Sequence, residues 1–155
     1  MKILSREETS LWCGQNDIAL NDRRLPERSD AFVSFKIPED ANKRVRLVSD
    51  RMQAFNGEPI FLVWFDDRAV WPSGQRMHIF DRLRMSYGET RPLIQSPGHV
   101  FDQSEFEDAV SFVTLAVLML WDCYVVTPKR SKLLFFSHDE YGLTKGNDME
   151  AVANA

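Results

Sequence analysis

Two clusters of acidic and imidazole side chains directly follow two predicted strands. One cluster comes after the apolar run at residues 59–65, and the other comes after the run at residues 132–137. The side chains concerned are Asp66, Asp67, His138, Asp139 and Glu140. If the two strands run parallel, their carboxyl ends share one sheet edge, where functional groups of open α/β sheets gather. Carboxylates with an imidazole can bind a divalent cation or carry out acid–base chemistry.

These clusters supply two sets of candidate residues. The candidate metal ligands are Asp66, Asp67 and His138. The candidate catalytic residues are His138, Asp139, Glu140 and His99, the last of them in a predicted loop. The alternative interpretation is that these residues occupy the turns that end strands and cap backbone groups there. We favour the turn interpretation because the spacing matches no zinc or calcium motif.

The sequence contains none of the common motifs for nucleophilic catalysis or cofactor binding. Ser137 precedes His138, but adjacent residues of a strand point to opposite faces and do not form a catalytic pair. The glycines form neither a phosphate-binding loop nor a dinucleotide-binding loop. Cys123 lies in an apolar run, where a thiol packs as a small hydrophobic group. We therefore predict no cofactor.

A protein-binding patch is a second kind of candidate site. Trp, Tyr and Arg are the residue types enriched at interface hot spots. The candidate binding residues are Trp71, Tyr87, Arg82 and Arg84. A packed core with its polar rim gives the same residue types, and this interpretation is the favoured one.

The charge balance indicates which partners the protein can attract. The chain of 155 residues has 19 Lys and Arg against 23 Asp and Glu, a formal net charge of −4. This balance opposes nucleic-acid binding, which favours a basic protein surface. It favours instead a protein partner with a basic surface. Arginine predominates over lysine and suits bidentate contacts with anions, although ordinary surface pairing is its expected role.

The composition is that of one globular domain in a reducing compartment. The longest uncharged stretch, residues 109–121, is too short to span a bilayer, and the first residues lack the apolar core of a signal peptide. Two cysteines do not make a disulfide framework. We expect a cytoplasmic protein without membrane association, with one domain at residues 1–145 and a flexible tail at residues 146–155.

Local patterns predict where the helices begin. Ser5 with Glu8 and Asp102 with Glu105 both fit a capping box, in which the two side chains satisfy each other's backbone N–H groups. The second of these begins a helix at residues 102–120 that is apolar on nearly every face. We expect this helix to lie at the centre of the fold.

The strand patterns predict the fold class. An alternating strand at residues 31–37, a helix after Pro38 and the apolar strand at residues 59–65 suggest a βαβ unit, with an antiparallel return as the alternative. Residues 121–127 and 132–137 suggest a C-terminal β-hairpin. The predicted architecture is α/β (or α+β), with a mixed sheet of four to six strands and about four helices.

Three functions are compatible with these observations. The preferred hypothesis is a protein-binding module, such as a bacterial immunity or antitoxin-like protein, because enzyme motifs are lacking and the chain is small and acidic. The first alternative is a small metal-dependent or acid–base hydrolase that uses the His, Asp and Glu residues at the strand ends. The second alternative is a homo-oligomeric structural protein.

Overall fold

The computed structural model describes residues 1–20, 32–65 and 78–145, which form four α-helices and one seven-stranded sheet. The helices are α1 (Arg6–Gln15), α2 (Ala41–Met52), α3 (His78–Ser86) and α4 (Phe106–Leu118). The strands are β1 (Lys2–Leu4), β2 (Val33–Lys36), β3 (Ile60–Phe65), β4 (Gly98–Asp102), β5 (Cys123–Val126), β6 (Leu133–Phe136) and β7 (Tyr141–Lys145). The mixed α/β class is confirmed. The predicted tail at residues 146–155 lies outside the described residues.

The sheet is antiparallel, with the strand order β1-β4-β3-β5-β6-β7-β2. Every neighbouring pair in the described ranges runs antiparallel. The prediction of a mixed sheet with four to six strands was therefore wrong in both respects. The predicted hairpin is confirmed as β5 and β6, but a short turn leads from β6 into β7, which extends the hairpin to a three-stranded meander.

The predicted βαβ unit does not form. Strands β2 and β3 run in the same direction, but β7, β6 and β5 separate them in the sheet. Strand β2 instead pairs with β7 at the edge of the sheet, with Phe35 opposite Gly142. A Cβ atom at Gly142 would collide with the Phe35 ring, so glycine allows this ring to lie directly on β7.

Both predicted capping boxes are present. Ser5 accepts a hydrogen bond from the backbone N–H of Glu8 and donates its own backbone N–H to the Glu8 carboxylate. Asp102 and Glu105 form the same arrangement at a short 3₁₀ turn that leads directly into α4. Each cap stabilises its helix by about 1 kcal/mol because it satisfies backbone donors that the helix leaves unpaired.

Hydrophobic residues pack on both faces of the sheet. Helices α2, α3 and α4 cover one face, and α1 packs on the opposite face. As expected, α4 lies in the larger core, where Phe112 is completely buried between Phe80 and Phe101. No helix in the described ranges combines the length and hydropathy that a membrane crossing requires.

Candidate functional site

Strands β3 and β6 end at the same edge of the sheet. They run in the same direction, and β5 lies between them, so that Phe65, Cys123 and Phe136 are aligned across the three strands. Two strand spacings separate the ends of β3 and β6 by about 10 Å. Asp66 and Asp67 directly follow β3 in the sequence but lie outside the described residues.

The second predicted cluster forms the tight turn between β6 and β7. The backbone N–H of Ser137 donates to the Tyr141 carbonyl at 2.8 Å, and the N–H of Glu140 donates to the Ser137 carbonyl at 3.2 Å. Glu140 has a positive φ of 61°, a conformation that completes the reversal of the chain. The N–H of Asp139 donates to Ser137 Oγ at 3.2 Å. These residues therefore satisfy backbone groups of a turn, as the turn interpretation expects.

His138 lies between two carboxylates at this edge. Its backbone N–H donates to Asp122 Oδ1 at 2.7 Å, and its ring Nδ1 lies 2.9 Å from the same oxygen. Its Nε2 lies 3.5 Å from Asp139 Oδ1. The ring is partly exposed, whereas Asp122 is largely buried. A carboxylate that fixes one ring nitrogen can orient the imidazole for proton transfer at the other.

Asp122 was not among the predicted site residues, although the sequence holds a signal for it. The hairpin pairs Cys123 with Phe136, so the residue before β5 must lie opposite the residue after β6. Asp122 directly precedes β5 and His138 follows β6 by two residues. That register places Asp122 opposite Ser137, the neighbour of His138; the predicted hairpin at residues 121–127 and 132–137 already contained Asp122 but had no assigned register.

Glu140 binds Arg44 of α2. Arg44 Nη2 donates to Glu140 Oε1 at 2.7 Å, and Arg44 Nε donates to the Pro38 carbonyl at 2.6 Å. This ion pair fastens α2 to the turn between β6 and β7. In the part of the chain that the structure describes, no group of three His, Cys, Asp or Glu side chains is arranged to hold a metal ion.

His99 lies in β4 rather than in the predicted loop, and it is completely buried. Its ring contacts Phe65, Phe80 and Phe112 at centroid distances of 5.2–6.1 Å. Burial in this aromatic cluster, together with the nearby Arg84, lowers the pKa of His99 to about 3. The ring is therefore neutral near pH 7. Strands β3 and β5 lie between β4, which carries His99, and β6, which leads to His138.

Arg84 is buried beside His99 instead of lying on the surface. Its Nε donates to His99 Nε2 at 3.2 Å, its Nη1 donates to the Arg91 carbonyl at 2.9 Å, and its Nη2 donates to the Ser96 carbonyl at 3.0 Å. Because a guanidinium can only donate, His99 Nε2 must accept, and the ring proton resides on Nδ1. That Nδ1 atom is buried and has no hydrogen-bond partner.

The carboxylate with the largest electrostatic effect on this buried cation is Glu89, which is itself bound by Arg91. Arg91 Nε and Nη2 donate to the two carboxylate oxygens of Glu89 at 2.9 and 2.6 Å. These hydrogen bonds lower the pKa of Glu89 to about 2. Arg84, His99, Glu89 and Arg91 thus form a polar network that holds the chain after α3 against β4.

The other candidate binding residues occupy different environments. Arg82 is exposed on the outer face of α3. Tyr87 is half-buried, and its hydroxyl donates to Asp108 Oδ2 of α4, which raises the pKa of Tyr87 to about 12. Trp71 lies outside the described residues. Only Arg82 of the four is shown at the surface and without a structural contact that fixes it.

The chain matches no protein-family model, no curated protein and no solved structure. Its function must therefore be argued from its own residues.

Proposed function

We propose that the protein is a protein-binding module, of the kind represented by bacterial immunity and antitoxin-like proteins, and that the outer face of α3 contacts the partner. The observation that carries this proposal is a pair of exposed apolar side chains on that face. Ile79 is 65% exposed and Met85 is 51% exposed, although α3 buries Phe80 and Arg84 on its inner side.

Ile79, Arg82 and Met85 are spaced three residues apart, so they lie on one side of the helix. Two apolar side chains around an arginine combine the chemistry of a contact core with a residue type enriched in hot spots. When a partner covers such side chains, each Å² of apolar surface that is buried stabilises the complex by about 25 cal/mol.

The surroundings of α3 favour a basic partner. The hydrogen bond from Tyr87 to Asp108 brings the end of α3 against the start of α4. The first turn of α4 and the residue before its 3₁₀ turn are acidic, with Glu107 and Asp102 both exposed. An apolar contact beside acidic side chains attracts a surface that carries Lys and Arg, and the net charge of −4 steers in the same direction.

The proposal is tested by affinity capture from the native lysate with the wild-type chain and the double variant Ile79→Ser/Met85→Ser. The matched control is Val45→Ser, because Val45 is also an exposed apolar residue, at 43%, but lies on α2. We expect the wild type and V45S to retain one stoichiometric partner with a basic surface, and the double variant to lose it. Binding should also weaken as salt is raised.

Absence of a stoichiometric partner, or equal retention by the double variant, contradicts the proposal. Light scattering at several protein concentrations separates it from the homo-oligomeric alternative. A concentration-dependent dimer that disappears in the I79S/M85S variant assigns the face to a second copy of the chain instead.

A second candidate function is acid–base hydrolysis at the His138 edge. It is supported by the contact between Asp122 and the ring of His138. The test is turnover of p-nitrophenyl acetate and p-nitrophenyl phosphate, with and without added Mn²⁺. Turnover that is lost in His138→Gln supports this candidate, whereas a rate equal to buffer, or unchanged in H138Q, rejects it.

A further inference from the structure

The guanidinium of Arg51 is buried without the partners that a buried cation normally has. Arg51 lies in the last turn of α2 and is only 7% exposed. Its Nε and Nη1 atoms are inaccessible to solvent and have no hydrogen-bond partner. No carboxylate of the described residues forms an ion pair with it, and burial lowers the pKa of Arg51. Removing an unpaired charge from water costs several kcal/mol.

The contact that Arg51 does make leaves its N–H groups unsatisfied. Its Cζ atom lies 4.5 Å from the centre of the Phe35 ring, on the edge strand β2. A cation–π contact of this kind recovers on the order of 1–2 kcal/mol. It uses the flat face of the guanidinium, whereas the hydrogen-bond donors point outward in the plane of the group.

Arg44 shows that α2 can satisfy a buried arginine in this fold. It lies seven residues before Arg51 on the same side of the helix and is equally buried, at 7% exposure. Its donors reach the Pro38 carbonyl and the Glu140 carboxylate. The same helix thus carries one buried arginine with two acceptors and another with none among the described residues, so the missing acceptor is specific to the position of Arg51.

We propose that Arg51 is the receptor for an oxyanion, a carboxylate or a phosphate group, which binds at the sheet edge formed by β2. The planar guanidinium matches the two oxygens of either group in a bidentate contact. The anion approaches beside Phe35, which is half-buried on the last strand of the sheet. Nε and Nη1 lie on opposite edges of the guanidinium, so a bidentate anion pairs Nη2 with one of them, supplies the acceptor that this atom lacks and neutralises the buried charge. This site uses no residue of α3 and does not depend on the function proposed above.

The test uses inorganic phosphate and succinate in separate titrations, with KCl added to hold the ionic strength constant. The first readout is the Nε–Hε cross-peak of Arg51 in a ¹H–¹⁵N spectrum, assigned by its absence in Arg51→Met. The second readout is the thermal unfolding midpoint. The matched control is Arg46→Met, which removes one positive charge from the same helix at an exposed position.

We expect one or both anions to shift the Arg51 cross-peak saturably and to raise the unfolding midpoint of the wild type and R46M, but not of R51M. At an anion concentration about ten times the dissociation constant, the folding equilibrium constant rises about elevenfold. The two titrations distinguish a phosphate ligand from a carboxylate ligand. Arg51→Lys retains the charge but not the planar group, and we expect at least a tenfold weaker response.

The proposal is overturned if neither anion moves the Arg51 cross-peak of the wild type, a result that needs no variant. It is also overturned if R51M gains as much thermal stability from the anions as the wild type does. That second outcome would assign the effect to other cations of the surface.

Discussion

Arg84 and His99 form a buried pair in which the guanidinium Nε donates to the imidazole Nε2 at 3.2 Å. The contact requires a neutral imidazole, since a protonated ring has no lone pair to accept with. Protonation of His99 would place two positive charges side by side beneath α3. The pair therefore links the free energy of unfolding to pH.

The free energy of unfolding should fall as the pH is lowered below 6.5. The pKa of His99 is about 3 in the folded protein and near 6.5 in the unfolded chain. Between these values the unfolded state binds a proton that the folded state excludes, so acid favours unfolding by up to about 1.4 kcal/mol per pH unit. Urea unfolding at about pH 7.5, 6.5, 5.5 and 4.5, in steps of one pH unit, measures this slope.

Measurements above pH 4.5 separate the contribution of His99 to the free energy of unfolding from that of the buried carboxylate of Glu89. Glu89 has a lowered pKa of about 2, so its own contribution is lost only as the pH falls from about 4.5. His99→Gln keeps a hydrogen-bond acceptor for Arg84 but cannot titrate. We expect H99Q to be less stable than the wild type at pH 7.5 and nearly insensitive to pH down to 4.5. An H99Q slope equal to that of the wild type refutes the assignment.

Replacing Arg84 should destabilise the protein strongly. Arg84→Met leaves His99 Nε2 and the carbonyls of Arg91 and Ser96 without their donor in a buried site. Loss of one partner from a buried polar network costs about 3–5 kcal/mol. The matched control is Arg82→Met, because Arg82 is exposed two residues away and should change the free energy of unfolding by less than about 0.5 kcal/mol. Equal effects of R84M and R82M in urea unfolding would contradict the network.

Sequence patterns predicted the features that depend on neighbouring residues. The capping boxes at Ser5 and Asp102 and the hairpin of β5 and β6 all form, because each is fixed within a few residues. Strand β7 was not predicted from the sequence, for a physical reason. Its two buried residues are Gly142, which has no side chain, and Thr144, so hydrophobicity does not mark its buried face.

The strand order could not be predicted because it depends on contacts distant in sequence. Strand β2 pairs with β7 across more than a hundred residues, and Phe35 fits there only because position 142 is a glycine. The burial of Arg84 is equally non-local. An arginine on a helix is expected at the surface, and it becomes a core residue here because Arg91, Ser96 and His99 supply its acceptors.

Asp122 should stabilise the strand-end turn more than its exposed neighbour does. Asp122→Ala leaves the backbone N–H of His138 without its acceptor, a loss of about 1–3 kcal/mol for a partly buried group. Asp139→Ala removes a carboxylate that is 70% exposed, and should change the free energy of unfolding by less than about 0.5 kcal/mol. Chemical denaturation of both variants gives the comparison. A D122A variant as stable as D139A would show that the contact of Asp122 with His138 does not stabilise the fold.

Substitution of Gly142 should disturb the edge of the sheet through Phe35. A methyl group in Gly142→Ala would collide with the Phe35 ring and lie 2.7 Å from the Phe135 carbonyl oxygen, so overpacking should cost about 1–3 kcal/mol. Gly14→Ala is the matched control, because no atom lies within 4 Å of the added methyl and alanine favours the helix by up to about 1 kcal/mol. The double variant Phe35→Leu/Gly142→Ala should lose less than the two single variants together. Additive losses in urea unfolding would show that the Phe35 ring is not what excludes a side chain from position 142.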